Sequence, residues 1–402
     1  MLKDAKRNFS RIGWGMCAMV VAWEGLAVIV SALLRSTVLQ HASSMPNWAI
    51  YLCSSMPLYC VAMPLAWLLM RTVPALPTRE FRLGPKRFFM LFVMILPLVY
   101  VANIVSVILA MLLSGGRANN NLADVVSQID IWNVVFLVIC APIFEEWMFR
   151  KQLISRLRRY GEKTAILFSA LAFALFHMNL YQALYAFMLG LMFGYVYTRT
   201  SRLRYSVAMH MLFNFNGGVI APWVASRMDA KTLSMMSSNG AGAGAQVAGV
   251  VLIVMLYGLC MLGLIIAGVI LLVREAKHLE FYTAPEELPR GTRVGTALGN
   301  SGMVAFIILT VALTALTLIA PWYEWTIGRY APELEERYCS SVAMAPCSKY
   351  SALAMARATA SAMVEKQQIA LRRHRPMPSM PYGENPGELY LWWGIAYSRG
   401  PS

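Results

Sequence analysis

The chain has 402 residues, of which 58% are hydrophobic and only 14% are charged. Soluble domains are about half apolar and about a quarter charged, whereas apolar runs of about 20 residues, the length that crosses a bilayer, recur along this chain. The composition therefore excludes an ordinary soluble enzyme and predicts an all-α, polytopic helical membrane protein embedded in the lipid bilayer.

The formal net charge of +15 is distributed in a way that argues against a nucleic-acid partner. The basic residues lie mostly in short clusters between the apolar runs, at residues 71–87, 150–163, 199–204 and 274–293. Lys and Arg in short loops orient membrane helices with the basic side in the cytoplasm. We therefore predict a cytoplasmic N-terminus and no binding of nucleic acid.

The hydropathy pattern predicts about nine membrane-spanning helices. The first follows a basic N-terminus and is longer than a signal-peptide core, so it is predicted to remain as a membrane helix. In chain order the predicted spans are residues 14–34, 48–70, 88–113, 131–149 (continuing as helix to about residue 159), 164–180, 182–198, 206–224, 247–273 and 303–322.

These spans suggest four regions along the chain. Residues 1–130 form N-terminal transmembrane helices, residues 131–224 a catalytic core, residues 225–322 C-terminal transmembrane helices, and residues 323–402 an extramembrane tail. An odd number of spans places this tail opposite the cytoplasmic N-terminus, an arrangement that fits the inner membrane of a bacterium. In that oxidising compartment Cys339 and Cys347 either form a disulfide or remain two free thiols.

Six ionisable or amide side chains interrupt the apolar segments of the predicted core. They are Glu145, Glu146 and Arg150 in the fourth span, His177 in the fifth, and His210 with Asn214 in the seventh. A charged side chain at the bilayer centre costs about 2.5–3.5 kcal/mol on insertion scales. Such residues line a functional site or pair with a partner, so this set predicts one.

Helical spacing assigns these residues provisional positions. Glu146 and Arg150 are separated by four residues, so they share a helix face and can form an ion pair. Glu145 is rotated by about 100° from that face and lacks this partner. An unpaired carboxylate in such surroundings can act as a base near neutral pH. His210 and Asn214 are also four residues apart and can point at one spot.

The depth of each residue is consistent with one intramembrane cavity. If the cytoplasmic edge of the fourth helix lies at residues 156–159, Glu145 is about 16–21 Å inside, at about 1.5 Å per residue. By the same count His177 is about 21 Å inside, and His210 and Asn214 are about 9 and 15 Å inside. Tilted helices would bring these side chains together.

Three short motifs give the core a family resemblance. Residues 145–150 (EEWMFR) match an EExxxR pattern, residues 173–177 (FALFH) match FxxxH, and residues 210–214 (HMLFN) match HxxxN. Each pattern alone is weak, but the three occur in order on successive predicted membrane helices. The core thus resembles the CPBP family, which comprises CAAX prenyl proteases and bacteriocin-processing or immunity proteins and is also called ABI.

The resemblance implies an intramembrane, glutamate-dependent endopeptidase whose partner is a membrane-associated protein or peptide substrate. Glu145 would be the general base that activates water, and His177 would help to hold it. His210 and Asn214 would stabilise the oxyanion, while Glu146 and Arg150 would be a structural pair. We expect no metal or other cofactor, because no HExxH pattern is present. The alternative is zinc bound by Glu145, His177 and His210.

Two readings from other functional classes remain open. A non-catalytic immunity or scaffold protein of the membrane could have kept the motifs. A proton-coupled transporter could use the buried Glu and His residues as a relay, although the sequence shows no inverted repeat of the kind found in many transporters. The substrate, its prenylation and the oligomeric state cannot be read from the sequence.

Overall fold

The computed structural model describes residues 1–40, 45–116, 130–228 and 244–318, together with residues 120, 126 and 232. Within these residues all regular secondary structure is helical, which confirms the predicted all-α class. The chain divides into two units, residues 1–27 with 45–319, and residues 28–44 with 320–402. The predicted tail, including Cys339 and Cys347, lies outside the described residues.

Ten helices are labelled here in chain order within the described ranges. They are α1 (Leu2–Thr37), α2 (Asn47–Met70), α3 (Pro85–Ser114), α4 (residues 131–160), α5 (Glu162–Phe176), α6 (Leu180–Thr200), α7 (residues 203–225), α8 (Gly244–Glu275), the short α9 (Arg293–Ala297) and α10 (Ser301–Leu318). Each predicted span overlaps one of the nine longer helices, but residues 177–179 of the fifth span are not helical and residues 319–322 of the last lie outside the described residues.

Six of these helices, α1, α2, α3, α6, α8 and α10, are long and apolar enough to cross a membrane. The other three, α4, α5 and α7, carry the motif residues. Helix α5 has 15 residues, which corresponds to about 22 Å and is shorter than the hydrocarbon core of about 30 Å. Helix α5, which leads to His177, is therefore shorter than an ordinary span.

Helix α4 changes its winding around the acidic pair. Its segments Asn133–Cys140 and Trp147–Ile154 are π-helical, and the α-helical segment Ala141–Glu146 lies between them. Such wide turns are uncommon and are frequent at functional sites. They also change the rotation per residue, so a helical wheel with 3.6 residues per turn describes this helix only locally.

Helices α2 and α4 pack in parallel, held by two stacked aromatic pairs. The rings of Tyr51 and Phe136 lie 5.2 Å apart, and those of Tyr59 and Phe144 lie 4.5 Å apart and nearly parallel. The two tyrosines have the same separation along α2 as the two phenylalanines have along α4. The helices therefore run in register, and α2 brings Tyr59 to the level of the acidic pair.

The loops that sequence analysis places on one side of the membrane meet at one end of the helices. Backbone hydrogen bonds join them to the ends of α4 and α6: Leu76 N–H donates to the Ser155 carbonyl (2.7 Å), Phe81 N–H to the Thr200 carbonyl (2.9 Å) and Glu286 N–H to the Arg159 carbonyl (3.0 Å). The basic loops thus lie together in the structure, and the assignment of this end to the cytoplasm remains a prediction.

Helices α1 and α10 approach so closely that only glycine fits at their crossing. A Cβ atom added at Gly302 would overlap the Ser10 carbonyl, and one added at Gly13 would overlap the Gly302 backbone. The Gly302 N–H also donates to Ser10 Oγ (3.1 Å). The contact joins the first and last described membrane helices, so a side chain there must push the two backbones apart.

We expect Gly302→Ala to lower the apparent unfolding temperature in detergent, because overpacking typically costs about 1–3 kcal/mol. Gly263→Ala on α8 is the matched control, since an added Cβ there meets no atom within 4 Å. Equal unfolding temperatures for the two variants, measured by differential scanning fluorimetry, would contradict the close crossing.

Candidate active site

A fully buried ion pair forms the base of the site. Arg150 Nε donates to Glu146 Oε2 (3.1 Å), and both side chains have no exposed surface. Arg150 Nη1 donates to Ser169 Oγ (2.9 Å), and Ser169 in turn donates to the Phe149 carbonyl (2.7 Å). The pair expected from the four-residue spacing is present, and α5 supplies an additional acceptor through Ser169.

The second oxygen of Glu146 contacts His210 on α7. His210 Nδ1 lies 3.3 Å from Glu146 Oε1, and its Nε2 lies 3.8 Å from Glu145 Oε2. A carboxylate can only accept a hydrogen bond, so Nδ1 carries the hydrogen and Nε2 faces Glu145. Glu146 therefore fixes the orientation of the imidazole as well as pairing with Arg150.

Glu145 is buried but lacks the contacts that Glu146 makes. Its one ionisable neighbour within ion-pair distance is His210, and this holds for the described part of the chain. The tyrosines Tyr59 of α2 and Tyr185 of α6 lie within electrostatic range of the Glu145 carboxylate. One carboxylate of the adjacent pair is thus held by two partners, and the other is left available.

Aromatic rings surround these polar groups. The Phe173 ring lies 4.8 Å from the Arg150 guanidinium and edge-on to both histidines, with centroid distances of 4.8 Å to His177 and 5.9 Å to His210. Phe193 stacks on His210 at 5.2 Å. The rings lower the local polarity, strengthen the charged contacts and fix both imidazoles next to one another.

His177 lies at the end of α5 and has a defined tautomer. Its Nδ1 is 2.7 Å from the Phe173 carbonyl, which only accepts, so Nδ1 carries the hydrogen and Nε2 is left with a lone pair. No hydrogen bond or ion pair joins His177 to Glu145 within the described structure. The Phe173 ring instead connects it to His210.

Asn214, one turn beyond His210 on α7, uses part of its hydrogen-bonding capacity to join two helices. Its Nδ2 donates to the Leu137 carbonyl of α4 (2.8 Å). An amide NH₂ group has two hydrogens, so one remains for another acceptor. The contact positions the amide beside the wide turns of α4.

Comparison with known protein families adds to this geometry. Residues 127–216 match the family described as type II CAAX prenyl endopeptidase, Rce1-like. The chain contains an Rce1-like domain. All six motif side chains fall inside the match, in agreement with the resemblance to the CPBP family. No curated protein and no solved structure matches the chain.

The match supports several statements at the level of the family. The Rce1-like family implies protease activity, and the apolar helices of this chain make it an integral membrane protein that contacts lipid. The Rce1-like domain ends before α8 and begins after α3, so the flanking helices lie outside it.

The zinc alternative requires Glu145, His177 and His210 to converge on one point. In the residues that the structure describes, no group of three or more His, Cys, Asp or Glu side chains is arranged to hold a metal ion. Catalysis without a metal stays a prediction, and so does its zinc alternative.

Sequence reasoning missed several side chains that complete the site. Ser169 has no motif that marks it, and Tyr59 lies outside the Rce1-like domain on a helix of unrelated pattern. The contact between His210 and Glu146 joins residues 64 positions apart. Only the six-residue set on α4, α5 and α7 carried a signal in the sequence.

We expect Arg150→Met to destabilise the protein strongly, because removing one partner of a buried pair typically costs about 3–5 kcal/mol. The double variant Glu146→Gln, Arg150→Met should recover part of this loss, since a neutral amide replaces the carboxylate that Arg150 leaves unpaired. The measurement is the apparent unfolding temperature in detergent.

Arg7→Met is the control for this prediction, because Arg7 pairs with Asp4 on the surface and exposed pairs contribute about 0–1 kcal/mol. If Arg150→Met unfolds at the same temperature as Arg7→Met, the buried pair is not what stabilises the site.

Proposed function

We propose that the Rce1-like domain is an intramembrane endopeptidase that hydrolyses a peptide bond of a membrane-associated protein or peptide, with Glu145 as the general base. The proposal rests on one observation: two adjacent carboxylates differ in the number of partners that they contact. Glu146 is engaged by Arg150 and His210, whereas the one ionisable partner of Glu145 within ion-pair distance, among the described residues, is the His210 ring at 3.8 Å. A base must be free to take a proton, and Glu145 meets that condition.

The distance between the Glu145 carboxylate and the His210 ring leaves room for one reacting oxygen atom that contacts both. Two atoms 3.8 Å apart can both lie about 2.8 Å from one oxygen placed beside them, which is a normal hydrogen-bond length. In the proposed reaction Glu145 takes a proton from a water molecule while the water oxygen bonds to the substrate carbonyl carbon. The carbonyl π electrons move to its oxygen, and the proton later passes to the leaving amine as the C–N bond breaks.

His210 and Asn214 are proposed to stabilise the resulting oxyanion. His210 Nε2 is on the edge of the ring that faces Glu145, so a hydrogen on this nitrogen would be directed at the oxyanion. Asn214 retains one amide hydrogen beyond its bond to the Leu137 carbonyl. Donors held in place before the reaction stabilise developing charge without reorganisation, and both residues are held by contacts to α4.

His177 is proposed to hold the attacking water. Its Nδ1–H is committed to the Phe173 carbonyl, so its Nε2 can accept a hydrogen bond from water. The ring is fixed by edge-on contacts with Phe173 and Phe176. A neutral, oriented imidazole can direct a water hydrogen without competing with Glu145 for the role of base.

The orientation of the chain is a further part of the proposal. The basic loops meet at the end formed by the last turns of α4 and α6, and the positive-inside rule assigns that end to the cytoplasm. We propose a bacterial inner-membrane protein with a cytoplasmic N-terminus and an external tail. A secreted bacteriocin-type peptide or a membrane protein is then the proposed class of substrate.

The test of proteolysis is quantitative N-terminal proteomics on cells that make the wild-type chain or Glu145→Gln at equal membrane levels. We expect new peptide ends only with the wild type, because the amide cannot accept the proton of water. The flanking sequences would identify the substrate. Identical profiles in a range of hosts would favour the non-catalytic immunity or scaffold function.

A variant series on the identified substrate tests the separate roles. We expect Glu145→Gln, Glu145→Ala and His177→Ala to abolish cleavage, whereas Asn214→Ala should retain activity lowered about 10²–10³-fold, the usual effect of losing one oxyanion donor. Equal rates for Glu145→Gln and the wild type would remove Glu145 from the role of base.

Elemental analysis of the purified chain tests the metal alternative. We expect no stoichiometric zinc and no loss of activity on treatment with a chelator, since a carboxylate base, water and two donors suffice for amide hydrolysis. One zinc per chain that disappears in each of Glu145→Gln, His177→Ala and His210→Ala would instead establish Glu145, His177 and His210 as ligands.

A further inference from the structure

A second polar feature lies away from the catalytic cluster, where α4, α6 and α7 meet at their basic ends. It is a groove of about 400 Å³ lined by Glu80, Lys151, Tyr197 and residues 201–204. We call it the basic groove. None of its lining residues belongs to the motif set, and the reaction proposed above does not use them.

The charges in the basic groove are not balanced. Three cationic side chains, Lys151, Arg202 and Arg204, share it with one carboxylate, Glu80. Glu80 Oε2 lies 3.1 Å from Arg202 Nε, but without hydrogen-bond geometry, so this buried Nε lacks a hydrogen-bond partner. Arg204 donates to the neutral hydroxyl of Tyr205 (2.9 Å).

Lys151 is the most available of the three cations. Its side chain is exposed, and no hydrogen bond or ion pair engages it within the described structure. Among the described residues, Lys151 and Arg204 thus have no acidic partner, and they come from parts of the chain that are far apart in sequence. A negatively charged hydrogen-bond acceptor in the groove would pair with both side chains.

The groove lies at the end of the helices where the basic loops meet. Lys151 lies about 8–12 Å inside the predicted membrane edge at residues 156–159, five to eight residues along α4, and a Lys side chain at such a position extends its ammonium group toward the headgroups. Arg204 lies in the first turn of α7, whose segment Leu203–Phe215 begins without a capping side chain. Basic pockets between membrane helices on the cytoplasmic side are suited to anionic headgroups.

We propose that the basic groove binds the phosphate group of an anionic membrane lipid. Phosphate oxygens accept from Lys and Arg, and the lipid supplies them at the level where these side chains lie. The bound phosphate would connect α4, which carries Glu146, to α7, which carries His210. The inference is independent of the proposed peptidase activity, because it concerns different residues and a binding measurement.

The test uses the full chain purified in detergent and transferred to nanodiscs of phosphatidylcholine, with or without phosphatidylglycerol. Native mass spectrometry then counts the phosphatidylglycerol that stays bound. Lys151→Gln, Arg204→Gln should weaken retention about 100-fold, since each side chain loses a charge-assisted hydrogen bond to the phosphate that contributes at least about a factor of ten. The charge-preserving variant Lys151→Arg, Arg204→Lys should retain the lipid.

The matched control is Arg82→Gln, Lys86→Gln, which removes the same charge from exposed residues at the same end that do not line the groove. Its retention should stay within about threefold of wild type, because only diffuse surface attraction is lost. Equal losses of lipid retention in the two double variants would overturn the proposal, since retention would then depend on the overall charge of the protein and not on the basic groove.

A second arm distinguishes a lipid headgroup from free phosphate. Inorganic phosphate is titrated into the lipid-depleted chain and into the chain carrying phosphatidylglycerol. We expect it to displace little lipid, because the acyl chains add affinity that the free ion lacks. Tight binding of phosphate that is lost in Lys151→Gln, Arg204→Gln and displaces the lipid would overturn the lipid as the ligand.

Discussion

The carboxylate of Glu146 accepts from Arg150 at one oxygen and faces His210 at the other, with all three side chains buried. In an apolar interior, a charge is tolerated only when its partners satisfy it in good geometry. This single group therefore determines several features together. It holds α7 against α4, it orients the His210 ring so that Nε2 faces Glu145, and it offsets the cost of burying a guanidinium. Because Glu146 is occupied, the neighbouring Glu145 is the carboxylate left for chemistry.

The rings around this network are as necessary as its charges. Phe173 touches Arg150 and both histidines, and its backbone carbonyl accepts from His177, so one residue of α5 positions the guanidinium and the two imidazoles. Helices outside the Rce1-like domain complete the enclosure. Helix α2 lies parallel to α4 and places Tyr59 beside Glu145 through the stack with Phe144. The low polarity that such packing creates strengthens each electrostatic contact and penalises any that is lost.

Polar groups are divided between two levels of the helices. The motif residues form a closed, aromatic-lined cluster in the interior, whereas the arginines and lysines at the ends of α4 and α6 face loops and the basic groove. The same two helices, α4 and α7, contribute to both levels. The interior contacts hold the residues proposed for catalysis, and the basic groove is the proposed site for a lipid phosphate. In these proposals one pair of helices contacts a substrate bond and a lipid headgroup at different levels along the helix axis.

The sequence by itself determined that the protein is helical and membrane-embedded, because apolar runs and basic loops are properties of local composition. It also determined the Glu146–Arg150 pair, since residues four apart on one helix must be neighbours. It singled out Glu145, His177, His210 and Asn214 as candidates by motif, but their roles remain predictions. Only the tertiary structure decided that His210 contacts Glu146, that Asn214 bonds to the Leu137 carbonyl, and that Tyr59 stacks on Phe144, the residue before Glu145. These contacts join separate helices, and their register depends on side-chain packing and on the wide turns of α4, which no local pattern specifies.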